Sequence, residues 1–263
     1  MKGCHGEQFY CSVCCHATGF VWTLCICTKN EIAAKLVSTL RYETKRNMLL
    51  TINKDGGREF QGALNDFLQE EGVESRIIPR YDHSGNGRIE SVNRAISDAA
   101  RTMLIDSMLP LAYWPYAVRY AALISNHVLV HGKEEVPAVL MGKCKINSRK
   151  FLRFGGQVLF HLPKELQRGK FEPHAIPGIF MGLTDDGFSY LIYSLNDDRV
   201  IPTRAVKSLN SPVAGNADIF MDAQEGLSFE DYLEHSSADD VEDFADNLVD
   251  RFQQAGGKCN THL

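Results

Sequence analysis

Apolar residues crowd residues 8–29 in two runs rich in Phe, Tyr, Val, Trp and Cys, separated by a small turn at Ala17, Thr18 and Gly19. Such dense, β-favouring runs around a glycine turn predict two buried strands in a hairpin. Over residues 31–46 the pattern changes. Ile32, Ala33, Leu36, Val37 and Leu40 recur at the three-and-four spacing of one helical face. Residues 48–52 read as a third strand, ended by the turn signal at Lys54, Asp55, Gly56 and Gly57. A short helix over 60–70 and a short strand over 76–79 follow, then a loop over 80–87 that carries Gly85 and Gly87. A long helix is predicted over 88–108, from Ile89, Val92, Ile96, Ala99, Ala100, Met103 and Leu104, and Pro110 stops it. A second long helix fits 113–130.

From residue 151 the helical period disappears. Short β-type runs at 157–161, 179–181, 190–193 and 200–201 are punctuated by Gly and Pro, which predicts a small all-β module. Beyond residue 210 the pattern has little period, apart from a weak amphipathic stretch at 241–252. The expected organisation is therefore an α/β part over 1–130, a linker over 131–150, the β module over 151–209 and a tail over 210–263.

Charge sharpens that division. The chain of 263 residues carries a formal net charge of −5. From residue 211 onward twelve acidic residues face only Arg251 and Lys258, whereas residues 1–210 hold 26 basic and 21 acidic residues. A mildly basic body with an acidic tail permits a polyanion partner without requiring one, and the tail reads as solvating and flexible. No apolar run approaches the about 18 residues a membrane helix needs, so no membrane association is expected. Six of the eight cysteines fall in the first 27 residues, with no secretory pattern around them, and they read as reduced thiols of an intracellular protein.

Two segments carry chemistry. Asp55, Gly56, Gly57, Arg58, Glu59 and Phe60 follow directly on a predicted strand. Asn86, Gly87, Arg88, Ile89, Glu90, Ser91, Val92, Asn93 and Arg94 open the long helix. Together they resemble the D-x-G-x-E-F and N-G-x-x-E-R-x-N-R motifs of the integrase core of copia-type retrotransposons, and the 34 residues between Asp55 and Glu90 resemble that family's D-D-35-E spacing. Residues 109–118, which include Pro110, Trp114 and Ala117, look like the family's L-P-x-x-x-W-x-x-A segment. Residues 151–155 and 170–182 look like the small barrel that follows the integrase core in such polyproteins. The likeness extends over residues 7–208.

The resemblance implies an RNase H-like α/β core lacking its first strand, then a small all-β barrel and an acidic tail. It implies DNA integration by metal-dependent polynucleotidyl transfer, in which carboxylates hold two Mg²⁺ or Mn²⁺ ions about 4 Å apart. Asp55 would be the second carboxylate and Glu90 the third, with Asn86, Gly87, Asn93 and Arg94 assigned to nucleic-acid binding. Glu90 and Arg94, four apart, share one helical face. The implied partners are DNA, as retroelement ends and target, and further copies of the chain; the implied location is the nucleus or a cytoplasmic particle.

The family's first carboxylate lies upstream of the segment matching residues 9–17. Where relatives carry two Asp, this chain reads Cys14, Cys15 and His16, and no acidic residue stands between Glu7 and Glu31. An integrase-derived fragment, inactive by itself, is the expectation. A non-catalytic, domesticated nucleic-acid-binding or adaptor protein is the alternative. Cys11 and Cys14 make half of a zinc-type pair, but within a buried strand they face opposite ways, and structural cysteines are expected rather than zinc.

Overall fold

The computed structural model describes residues 2–45, 51–55, 57, 62–78, 83–161, 175–194 and 197–209, with the backbone alone for Thr44, Asp55 and residues 83–86. Two compact units emerge: Met1–Ala100 with Ala121–Lys143, and Arg101–Tyr120 with Cys144–Leu263. The tail and its amphipathic stretch at 241–252 lie outside the described residues. No helix of the described residues is long and apolar enough to cross a membrane.

The first unit is mixed α/β. Strands β1 (Phe9–Cys14) and β2 (Val21–Ile26) form the predicted antiparallel hairpin, with Tyr10 opposite Cys25 and Cys14 opposite Val21, but it is not the buried pair expected: β1 is half-buried with Phe9 exposed, and β2 is buried only at Val21 and Ile26. The turn closes through Cys15 N donating to Phe20 O, and Gly19 takes φ +80°, which glycine adopts without a Cβ penalty. Helix α1 (Glu31–Lys45) starts with the glutamate half of a capping box. The Glu31 carboxylate reaches back to the Thr28 N–H at 3.0 Å and to the Thr28 hydroxyl at 2.9 Å. The Thr28 hydroxyl bond first, and then Lys35 and the backbone of Cys27 and Thr28, hold the Glu31 carboxyl below its ordinary range.

Ile32, Leu36 and Leu40 recur every four residues and fall on one face of α1. They are buried in a core with Ile26, Leu64, Phe67, Leu68 and Val73, against which Cys11, Val13, Leu24 and Ile52 also pack. Each such large aliphatic side chain contributes about 1.5–3 kcal/mol on full burial. Strand β3 (Thr51–Asp55), helix α2 (Ala63–Glu70) and strand β4 (Glu74–Ile78) make a strand–helix–strand crossover, and β3 and β4 pair in parallel with Asp55 opposite Ile78. Of the predicted span 48–52, residues 48–50 lie outside the described residues, and β3 continues past 52 to Asp55.

Two helix boundaries differ from the sequence expectation by five residues each. Helix α3 runs from His83 to Ser107, so the second half of the predicted 80–87 loop is helical and Gly85 and Gly87 lie in its first turns. A glycine costs a helix about 1 kcal/mol relative to alanine but does not forbid it, and a Cβ on Gly87 would meet nothing within 4 Å. Helix α4 (Trp114–Ser125), preceded by a 3₁₀ turn at Leu111–Tyr113, ends five residues before the predicted boundary. The chain turns there because the buried Asn126 is committed elsewhere: its side chain bonds the backbone of Val21, and its carbonyl accepts from Ala138 N at 2.9 Å. Within 131–150, read as a linker, the short helix α5 (Pro137–Leu140) buries Pro137 and Ala138, and Val136, Ala138 and Met141 form a second core with Phe20.

The second unit is built on a five-stranded antiparallel sheet in the order β8–β7–β6–β5–β9. Its strands are β5 (Gln157–His161), β6 (Ala175–Leu183), β7 (Tyr190–Ser194), β8 (Arg199–Thr203) and β9 (Val206–Ser208). Four of the five overlap predicted runs, with β6 and β8 longer than the runs 179–181 and 200–201; β9 is too short for a pattern to show. Phe160, Phe180 and Ile192 are fully buried. Tyr120, on the part of α4 within this unit, stacks over Phe154 at 6.2 Å, meets Phe180 edge-on at 5.2 Å and donates its hydroxyl to Leu152 O at 2.7 Å. Burial pushes the Tyr120 phenol far above its ordinary range.

Candidate functional site

The motif residues fall on β3 and α3 of the first unit. Asp55 is the last residue of β3 and pairs with Ile78, the last residue of β4. Both parallel strands therefore end on the same side, the side on which open α/β sheets place their chemistry. The chain leaves β4 at Ile78 and enters α3 at His83, so the helix that carries Glu90 is tethered to that same end. The side chains of Asp55 and Asn86 lie outside the described residues.

Along α3 the structure separates the candidates. Glu90, Arg94 and Gly87 are exposed, and Glu90 and Arg94 share a face as their spacing requires. Asn93 instead belongs to a polar contact with β1. Tyr10 donates its hydroxyl to Asn93 O at 3.3 Å and lies 2.6 Å from the Ser97 hydroxyl, and the Asn93 Oδ1 is buried without a partner among the described residues. Asn93 thus helps seat α3 on the hairpin. Glu90 stands seven residues before Ser97, on nearly the same stripe, at a point that is still solvent-exposed.

Arg88 is only a variable position in the motif, yet it holds the start of this contact. Its Nη1 donates to His16 O at 2.7 Å, just past β1. It also bonds the thiol of Cys14: burial pushes that thiol up, while the charge and hydrogen bond of Arg88 pull it back. Tyr10 meets α3 near Ser97 and Cys14 meets it at Arg88, so β1 runs antiparallel to the helix. The one sequence signal for Arg88 is its place two residues before Glu90. Lys54, next to Asp55, is also buried; it donates to Asn65 of α2, and burial holds its ammonium below the ordinary lysine range.

A two-metal centre needs several carboxylate oxygens converging on one point. Among the described residues no group of three or more His, Cys, Asp or Glu side chains is placed to hold a metal ion. Glu90 by itself does not make such a set. Cys11 packs against the first core and Cys14 faces α3, as residues three apart on a strand must. Trp114 opens α4 and is half-buried.

Residues 157–217 match the family model of the retroviral polymerase SH3-like domain. Over 226 residues, 84% of this chain, the sequence is 26% identical to the retrovirus-related Pol polyprotein from transposon TNT 1-94 of Nicotiana tabacum. The chain spans 17% of that relative's length. Similar solved structures include the HTLV-2 integrase catalytic core domain in complex with magnesium, at 18% identity and TM-score 0.40 over 50% of this chain and 84% of that one. They also include the simian T-cell lymphotropic virus intasome in complex with the PP2A regulatory subunit B56 gamma, at 17% identity and TM-score 0.42 over 78% and 73%. The long sequence match reaches both motif segments and the SH3-like model covers the five-stranded sheet, so over most of its length the chain is similar to a stretch of a retrotransposon Pol polyprotein.

Proposed function

We propose that this chain is an integrase-derived, nucleic-acid-binding fragment whose ancestral role is DNA integration, and that the 263-residue polypeptide does not join DNA strands by itself. The observation that carries this reading is the exposed Glu90 on α3, tethered to the strand end where β3 finishes at Asp55, within the stretch matched to a retrotransposon Pol polyprotein. In this reading Asp55 and Glu90 are the carboxylates toward Mg²⁺ or Mn²⁺, Arg94 meets a phosphate, and Asn86 and Gly87 lie along the nucleic-acid path.

Inactivity is supported by what β1 and β2 carry. Neither strand contains an Asp or Glu that could supply a further carboxylate. Loss of one shared ligand removes much of the attraction that holds two dications close together. The same feature favours a second reading, a repurposed binding protein that keeps the DNA affinity of its ancestor without the chemistry.

The test uses the purified full chain with a labelled duplex in Mn²⁺. The expected outcome is no joined product, with duplex binding that weakens steeply as salt rises, since phosphate contacts release counterions. Asp55→Asn and Glu90→Gln leave that binding unchanged. A joined product that disappears in Asp55→Asn overturns the inactivity. Absence of duplex binding at about 50 mM salt overturns the nucleic-acid reading.

A further inference from the structure

The connection between β6 and β7 holds a phenyl ring out in water on a locked backbone. Phe188 is 60% exposed. Its N–H donates to Asp186 Oδ1 at 2.9 Å, Gly187 N to Thr184 O at 2.8 Å, Thr184 N to Ser189 O at 2.9 Å and Ser189 N to the Thr184 hydroxyl at 3.1 Å. Gly187 adopts φ +70°, and a Cβ there would overlap the side chain of Ile146. The turn is therefore seated on the segment that leads into the 3₁₀ turn Ser148–Lys150, and the Lys150 ammonium donates to Gly187 O at 3.2 Å. A large apolar ring fixed in solvent forgoes the stabilisation that burial brings.

The charges around the ring indicate what would cover it. Arg119 pairs with Asp185 at 3.0 Å. Asp186 is engaged within the turn: the Thr184 hydroxyl first, then the Phe188 N–H, hold its carboxyl low, and Arg204 is near enough to add to that. Lys150, Arg119 and Arg204 thus outnumber the two aspartates, and Arg149 and Lys145 follow on the segment beneath. An aromatic face among cations suits a base flanked by phosphates, because every nucleobase has a face to stack and every linkage a negative charge. A paired base inside a duplex does not offer that face to a lone surface ring. One ring among charges is also far smaller than the about 1,200 Å² that a stable protein interface buries.

We propose that Phe188 is a stacking platform for an unpaired base of a single-stranded nucleic acid, with Lys150, Arg149 and Arg204 beside its phosphates. This rests on the nucleic-acid reading above and adds to it a site in the SH3-like domain and a strand state.

The test compares fluorescently labelled oligo(dT) with a duplex on the full chain and its variants at about 50 mM salt. Phe188→Ala is expected to weaken oligo(dT) binding about tenfold and to leave the melting temperature and duplex binding unchanged. Phe188→Tyr retains the affinity, and the emission of Phe188→Trp is quenched when oligo(dT) saturates. If duplex binds but Phe188→Ala holds oligo(dT) as well as the parent does, this site is overturned while the nucleic-acid reading stands. If neither nucleic acid binds, both fall. If Phe188→Ala changes only the sedimentation of the chain, the ring serves contacts between copies and the stacking role is overturned.

Discussion

The side-chain amide of Asn126 occupies the place of a neighbouring strand beside Val21. It accepts the Val21 N–H at 2.7 Å and donates to the Val21 carbonyl at 2.8 Å, satisfying both backbone groups of a residue that is buried at the start of β2. Two buried backbone groups lose their partner together if this amide is removed. Asn126→Ala is therefore expected to destabilise the first unit by about 2–4 kcal/mol. Urea unfolding followed by circular dichroism should show the midpoint falling without a change of slope.

Gly178 in β6 sits where no side chain fits. A Cβ there would lie 2.9 Å from the Phe160 ring and 2.9 Å from the Tyr193 carbonyl, and closer still to Ile192, all fully or nearly fully buried. The neighbours are strand backbone and packed core, so they yield little. Gly178→Ala should cost about 1–3 kcal/mol through overpacking. A melting temperature equal to the parent's would show that the sheet relaxes more freely than its packing implies.

Arg88 opposes the effect of burial on Cys14. Without the guanidinium only desolvation and the neighbouring Cys15 act, and both raise the thiol further. In Arg88→Ala the pH midpoint for alkylation of Cys14, read by mass spectrometry of its peptide, should move upward. A midpoint that stays in place or falls would show that Arg88 acts on His16 alone.

Asp186 links stability to pH. The Thr184 hydroxyl and the Phe188 N–H hold its folded carboxyl below the about 3.9 of an unfolded aspartate. A depressed folded value contributes stability that is present above the unfolded value and is lost as pH falls through the folded one. The melting-temperature gap between the parent and Asp186→Asn should therefore be constant from about pH 5 to 7 and shrink below about pH 4. Salt should change it little, because the main partners are hydrogen-bond donors rather than distant charges.

Glu90, Asp55 and the strand–helix order around them are legible in the chain alone. Motif residues bring their own spacing, and α1 and β5 to β8 announce themselves through periods that local backbone geometry imposes. The differences lie at boundaries. The start of α3 is hidden by Gly85 and Gly87, whose cost to a helix is small. The end of α4 is hidden because Leu129 and Val130 continue an apolar pattern while Asn126 is held by Val21, 105 residues earlier.

What the sequence determined by itself was therefore what depends on near neighbours: the hairpin, the amphipathic face of α1, the strand–helix–strand order of β3, α2 and β4, and the linear order of Asp55 and Glu90. The tertiary structure decided which side of α3 each candidate occupies. Asn93 and Arg94 are adjacent in the chain and equivalent by pattern, yet a helix turns about 100° per residue. One is drawn into the contact with Tyr10, and the other is left in solvent. The same is true of Phe188, an ordinary turn residue until the bonds of Thr184 and Asp186 fix its backbone and the fold gathers Arg119, Lys150 and Arg204 around that turn. Local pattern reports what a residue can form; only long-range packing decides what it faces, because burial and charge are properties of the neighbours that the fold supplies.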